Sequence, residues 1–159
     1  MNIALFTLIA ERDISAVKLD ALTHPDKWKR SVALRTILLT IYEWDMDKVA
    51  GKMLRKAMEI AKIGAPLKEE VTASLRNLRK TQHRARKAMH KIRNSTIAHR
   101  DPDALMQYRV IRDIDSTAVL ELVTEFYESA RSFIAVVPRL IASGSNLPSL
   151  VRQMGHTIN

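Results

Sequence analysis

Ile3, Phe6, Ile9 and Ala10, then Ile14, Val17 and Ala21, recur at three- and four-residue intervals, so the chain is expected to open with a helix over residues 3–22. Thr23-His24-Pro25-Asp26 breaks it, and Pro25 suits the first turn of a following helix. Leu34, Ile37, Leu38, Ile41 and Trp44 form the stripe of that second helix, expected over residues 26–49, and Gly51 ends or weakens it. Residues 52–63 read as a further helix. Gly64-Ala65-Pro66 is a stop and a restart, with Glu69 and Glu70 expected in the new first turn, where the helix dipole favours acids.

The third main helix is expected over residues 66–98. Val71, Leu75, Leu78, Gln82, Ala85, Met89, Ile92 and Thr96 step along it by four and three, a seam that faces either a core or a partner. Asp101-Pro102 stops it, because the residue before a proline avoids the α region. Residues 106–115 of the following linker fit helix and strand alike. Asp115 or Ser116 can cap the last long helix, which runs to about residue 142 with a kink expected near Pro138. The pattern therefore predicts one all-α domain over residues 1–142 and a polar tail over residues 143–159, with room for one short helix.

Composition agrees with that pattern. The 159 residues can bury a real core, and Gly and Pro are scarce, with 4 and 5 copies. The absence of cysteine excludes disulfides, thiolate zinc sites and thiol nucleophiles, and a reducing, cytoplasmic setting is expected. The apolar run at the N-terminus has no basic residue before it and meets Glu11-Arg12-Asp13 directly, so it reads as the start of a core helix rather than a signal or membrane segment.

Charge changes the picture more. The net charge is +9, and all of it is concentrated: between Val71 and Arg100 there are nine Lys/Arg residues and no Asp or Glu, while elsewhere 17 basic residues match 17 acidic ones. Such a confined excess suggests a surface for a polyanion. Arg79, His83, Arg86, His90 and Arg93 follow one another at helical spacing within it, and the functional reading is a track for an RNA backbone that Arg100 extends. The plainer reading is a solvated basic face. His83 and His90 have no carboxylate at ligand spacing, so no metal is expected.

The same helix ends in Arg93-Asn94-Ser95-Thr96-Ile97-Ala98-His99. On a regular helix Arg93 and His99 stand about 9 Å apart along the axis and about 120° around it, so they meet only if the last turn opens or if a second copy of the helix crosses it. An Arg, an Asn and a His brought together suit phosphodiester chemistry on RNA. The 2′-OH attacks the adjacent phosphate once a histidine removes its proton. An arginine fork steadies the charge on the phosphate, and Asn94 can bond the phosphate or fix the histidine tautomer.

These residues resemble the signature of the HEPN superfamily: Arg, then a polar residue, then a few residues, then His, at the end of a long helix. Arg93, Asn94 and His99 match it position by position, and the helix layout is similar over most of the chain. The resemblance implies an up-and-down bundle of four to five helices. It also implies a metal-independent endoribonuclease whose site forms between two protomers, needs no cofactor, and looks closest to abortive-infection and toxin-type members, which implies a cognate antitoxin protein as a further partner. Non-catalytic members that bind a nucleic acid or a partner protein are the alternative. A homodimer is also expected from Gln82, which a monomeric core would accept poorly.

Plainer readings stand beside these. His99 can be an interface histidine bonded to Asp101. The acids of Glu43-Trp44-Asp45-Met46-Asp47 are expected to pair within their own helix, with the basic helix as the other choice. Trp28, Tyr42 and Trp44 are expected in the core or at an interface, and no aromatic interrupts the basic helix, so base stacking is not indicated there.

Overall fold

The computed structural model describes residues 2–45, 51–94, 96 and 102–145. They contain six helices and no strand: α1 (Asn2–Thr23), α2 (Lys27–Glu43), α3 (Gly51–Ile60), α4 (Ala65–Arg93), α5 (Ala104–Arg112) and α6 (Ser116–Gly144). The all-α class is as expected. There is one helix more than four to five because the ambiguous linker folds as α5, whose N-cap Asp103 accepts from the backbone N–H groups of Leu105 and Met106.

The four long helices form an up-down-up-down ring, α1–α2–α4–α6. Phe6 near the start of α1 stacks on Trp44 past the end of α2, at 6.3 Å between centroids. Gln82 and Arg86 of α4 reach the end of α2, while its later residue Ile92 lies with Leu38. Glu70 and Arg84, early and late in α4, pair with Arg139 and Glu125 of α6 in reverse order. Each neighbour is thus antiparallel to the next. Trp44, 1% exposed, is fixed between Phe6 and the edge of Phe126, and Ile14, Ile37, Leu78 and Phe133 fill the core around it.

Several local expectations are corrected. α2 ends at Glu43: Trp44 turns into extended backbone while its N–H still bonds Thr40, and the end expected at 49 lies outside the described residues. Pro25 precedes the helix rather than entering it, because Asp26 is the N-cap, accepting from Trp28 N at 2.8 Å. α3 closes at Lys62, not at Gly64. Lys62 takes the left-handed conformation (φ 51°), and the bonds Lys62 N–H to Glu59 O and Ile63 N–H to Met58 O seal the end as a Schellman turn. Glu69 and Glu70 stand beyond the first turn of α4, which begins at Ala65. Asp115 caps α6 as expected, and that helix continues through Pro138 to Gly144. Ile9 is exposed rather than buried, because Thr7 takes the inward position and bonds back to Ile3 O at 2.8 Å.

The seam of α4 is a core seam. Val71, Leu75, Leu78, Gln82, Ala85, Met89, Ile92 and Thr96 are all buried within one copy of the chain. Gln82 finds its partners there too: its amide N–H group donates to Trp44 O and, at 3.4 Å, to Tyr42 O. The argument for a second copy that rested on Gln82 therefore falls away.

Candidate nucleic-acid interface

Because the seam points inward, the basic residues of α4 are set on the rest of its circumference. Arg79, His83, Arg86 and His90 are exposed and Arg93 is half-buried. A helical wheel puts these five on the side of α4 that borders α2, whereas Arg84 lies on the α6 side and pairs with Glu125. The sequence stripe is therefore one continuous surface band.

Its lower end is organised by a residue the sequence reading placed only in the core or an interface. The half-buried ring of Tyr42 carries the guanidinium of Arg86 at 5.8 Å and that of Arg93 at 5.6 Å. Each contact is worth about 0.5–1 kcal/mol at such an accessible site. Both cations gather at one aromatic ring, and of the acids expected to pair within their own helix, Asp45 instead crosses to Arg86 at 3.3 Å. The helix break after Glu43 is what allows this, since Trp44 and Asp45 leave the helical path. Glu43 is exposed, and Asp47 lies outside the described residues.

Beyond Arg93 the helix opens into a wider π-type turn at Asn94 and Thr96. The Thr96 hydroxyl donates back to Ile92 O at 2.6 Å. Asn94 is exposed, with its amide nitrogen 3.4 Å from His90 Nε2. Arg86 and Arg93 thus meet at Tyr42, His90 and Asn94 stand together beside them on the same stretch of helix, and Arg79 and His83 continue the band toward the start of α4. His99 and Arg100, with Asp101, lie outside the described residues, so the geometry of the histidine in the signature and its alternative bond to Asp101 do too.

Among the described residues no three His, Asp or Glu side chains converge as a metal site, and no helix is long and apolar enough to cross a membrane. Comparison with protein-family models, curated proteins and solved structures gave no match for this chain.

Tyr42 is the residue of the candidate site that the sequence reading did not pick out. Its signal in the sequence is the spacing Trp28, Arg35, Tyr42, seven residues apart, which sets an aromatic, a cation and an aromatic on one face of α2.

Proposed function

We propose that the chain is a HEPN-like, metal-independent endoribonuclease of the toxin or antiphage-defence type, acting in the cytoplasm as a two-fold homodimer. The observation that carries the reading is the pair of guanidinium groups, Arg86 and Arg93, held over Tyr42 where the basic helix opens beside Asn94. Among the described residues Asp45 is the carboxylate paired with Arg86; two cations beside it favour a further anion, and a phosphodiester fits.

In this reading His99 takes the proton from the 2′-OH. The 2′-oxygen bonds to phosphorus, the bond to the 5′-oxygen breaks, and that oxygen leaves with a proton taken from water, to which His99 returns its own. Arg93 holds the phosphate oxygens before and during the step, and Asn94 orients the phosphate or the imidazole. The products are a 2′,3′-cyclic phosphate and a 5′-hydroxyl, and DNA is spared because it has no 2′-OH.

The test uses the purified full chain, a broad RNA panel and excess chelator. Cleavage should persist in chelator, and His99→Ala should slow it about 10²-fold or more while RNA affinity stays close to wild type. Arg93→Ala should lower both rate and affinity, and Asn94→Ala should have the smaller effect, since a neutral amide contributes less than a charged donor. RNA left uncut, or cut equally well without His99, replaces the enzyme with a non-catalytic helical module that binds nucleic acid or protein. A monomeric mass at micromolar protein removes the homodimer.

A further inference from the structure

Away from the signature, the start of α2 meets α5 in a second aromatic pair. Trp28 and Tyr108 stack with their planes 10° apart and centroids 6.0 Å apart. Such a pair normally lies in a core, yet Trp28 is 44% and Tyr108 48% exposed. Arg112 reaches over the Tyr108 ring at 5.9 Å. The pair borders a groove of about 660 Å³ that also takes in Lys27, Arg30 and Arg112.

On its other side the pair borders a pocket of about 320 Å³ lined by Arg35, Thr96 and Gln107. Arg35 is half-buried there. Its Nε has no hydrogen-bond partner among the described residues, and burial lowers its pKa below the ordinary arginine value. A guanidinium with an unused, buried donor in a concave site is a receptor for an anion. Thr96 in the same pocket wall belongs to the opened turn of α4 that follows Arg93 and Asn94.

Helical arithmetic joins the two places. Trp28, Arg35 and Tyr42 are each seven residues apart, so they drift by only about 20° per step and lie along about 21 Å of one face of α2. That length suits a few nucleotides of an extended strand. Its two ends are aromatic, and Arg35 stands midway between them.

We propose that Trp28 and Tyr108 form a stacking platform for an unpaired base of RNA, and that Arg35 holds the phosphate chain between this platform and Arg93. The inference rests on the RNA reading above and sharpens it: the substrate is single-stranded at the site, with a base a few nucleotides from the signature read by stacking rather than by base-edge bonds. The chemistry is general, because every base has a π-face and stacking on an aromatic side chain is sequence-tolerant.

The experiment measures binding of the full chain, with His99→Ala to prevent cleavage, to oligoadenylate and to an abasic strand of equal length and charge. Each strand is titrated against the His99→Ala protein and against the same protein carrying Trp28→Ala, Trp28→Phe or Arg35→Gln. Without the extra substitutions oligoadenylate should bind roughly five- to hundredfold tighter than the abasic strand, the range expected for stacking of one base. Trp28→Ala should erase that preference and leave abasic binding unchanged, and Trp28→Phe should restore most of it. Arg35→Gln should weaken both strands alike. Because Trp28 is exposed, loss of fold is checked directly by the thermal transition, and Trp28→Phe supplies the independent test. Equal affinity for the two strands, or a preference that survives Trp28→Ala, overturns the platform; if such a protein with His99 intact still cuts RNA, the ribonuclease reading stands. No binding of either strand overturns both, whereas burial of the Trp28–Tyr108 face under a partner protein overturns the platform alone.

Discussion

α4 divides its cations between two neighbours that treat them differently. On the α6 side, Arg84 pairs with Glu125, and Glu70 answers Arg139 with two contacts of 2.9 and 2.7 Å. α6 is built for this, with Glu121, Glu125 and Glu128 against Arg131 and Arg139. α2 is the reverse: Lys27, Lys29, Arg30 and Arg35 stand against Glu43. On the α2 side, therefore, one basic helix lies beside another, and Arg86 and Arg93 converge on an aromatic ring, with Asp45 crossing to Arg86. The same residue type is paired with an acid of the next helix on one flank and gathered at an aromatic ring on the other. What separates the two is the neighbouring helix, not the helix that carries the charges.

The largest effect should come from reversing charge on each flank in turn. Replacing Arg79, Arg86 and Arg93 together by Glu should weaken RNA binding at least about tenfold at moderate salt. It should also lower the dependence of log affinity on log salt by about two, the release expected from three single-strand phosphate contacts. Replacing Arg84 and Arg139 by Glu should leave the salt slope within one of wild type, beyond the smaller effect of net charge. The stability lost on the α6 side should stay near 1 kcal/mol per pair, because both pairs are exposed. Equal losses of affinity from the two variants would break the comparison and return the excess charge to a diffuse role.

A middle-sized effect is expected at Gln82, which ties the flank together from inside. Its side-chain amide bonds the carbonyls of Tyr42 and Trp44, the two residues that bracket the end of α2 and present Tyr42 and Asp45 to the band. Gln82→Leu keeps the volume and leaves those carbonyls without that donor, at a cost of about 1–3 kcal/mol in urea unfolding. If Gln82 also positions Tyr42, the variant should weaken RNA binding while the Arg84→Glu, Arg139→Glu variant does not. A variant as stable as wild type would mean that other donors satisfy both carbonyls.

The long elements were legible because period and breakers agree. Ile3, Ala10, Ile14 and Ala21 of α1 and the whole seam of α4 are buried at the expected spacing, and Asp26 and Asp115 sit where the long helices begin. The misreadings are local competitions. α5 was ambiguous because Val110 and Ile111 favour strand whereas Leu105, Met106 and Gln107 favour helix over so short a run, and Asp103 capping and packing on α2 decided it. The end of α3 was misplaced because Gly64 is the expected left-handed residue, whereas Lys62 takes that conformation at a cost of about 1–2 kcal/mol, offset by the Schellman bonds. The basic band could be read from spacing on one helix. Tyr42 over two arginines, Asp45 crossing to Arg86, and the Trp28–Tyr108 stack could not, since each joins residues far apart in the chain and depends on which helix lies beside which.

The smallest effect tests a third contact, between α1 and α6, against the compensated kind. Glu11 lies partly buried near Arg131; burial raises its carboxyl pKa above the ordinary 4.5, and the attraction of Arg131 offsets only part of that. The folded state therefore holds the Glu11 proton more tightly than the unfolded chain does. The stability this contributes is complete below the ordinary value and is lost as pH rises through the raised one. Glu11→Gln should then match wild type at about pH 3 and be more stable at about pH 7, by a few tenths of a kcal/mol, because the group is only partly buried and solvent screens it. Urea midpoints of both proteins at the two pH values measure this. Should Glu11→Gln be the less stable protein at neutral pH, the pull of Arg131 outweighs burial. The α1–α6 contact would then belong with the matched charges of the α4–α6 flank, leaving the α2 side as the odd one.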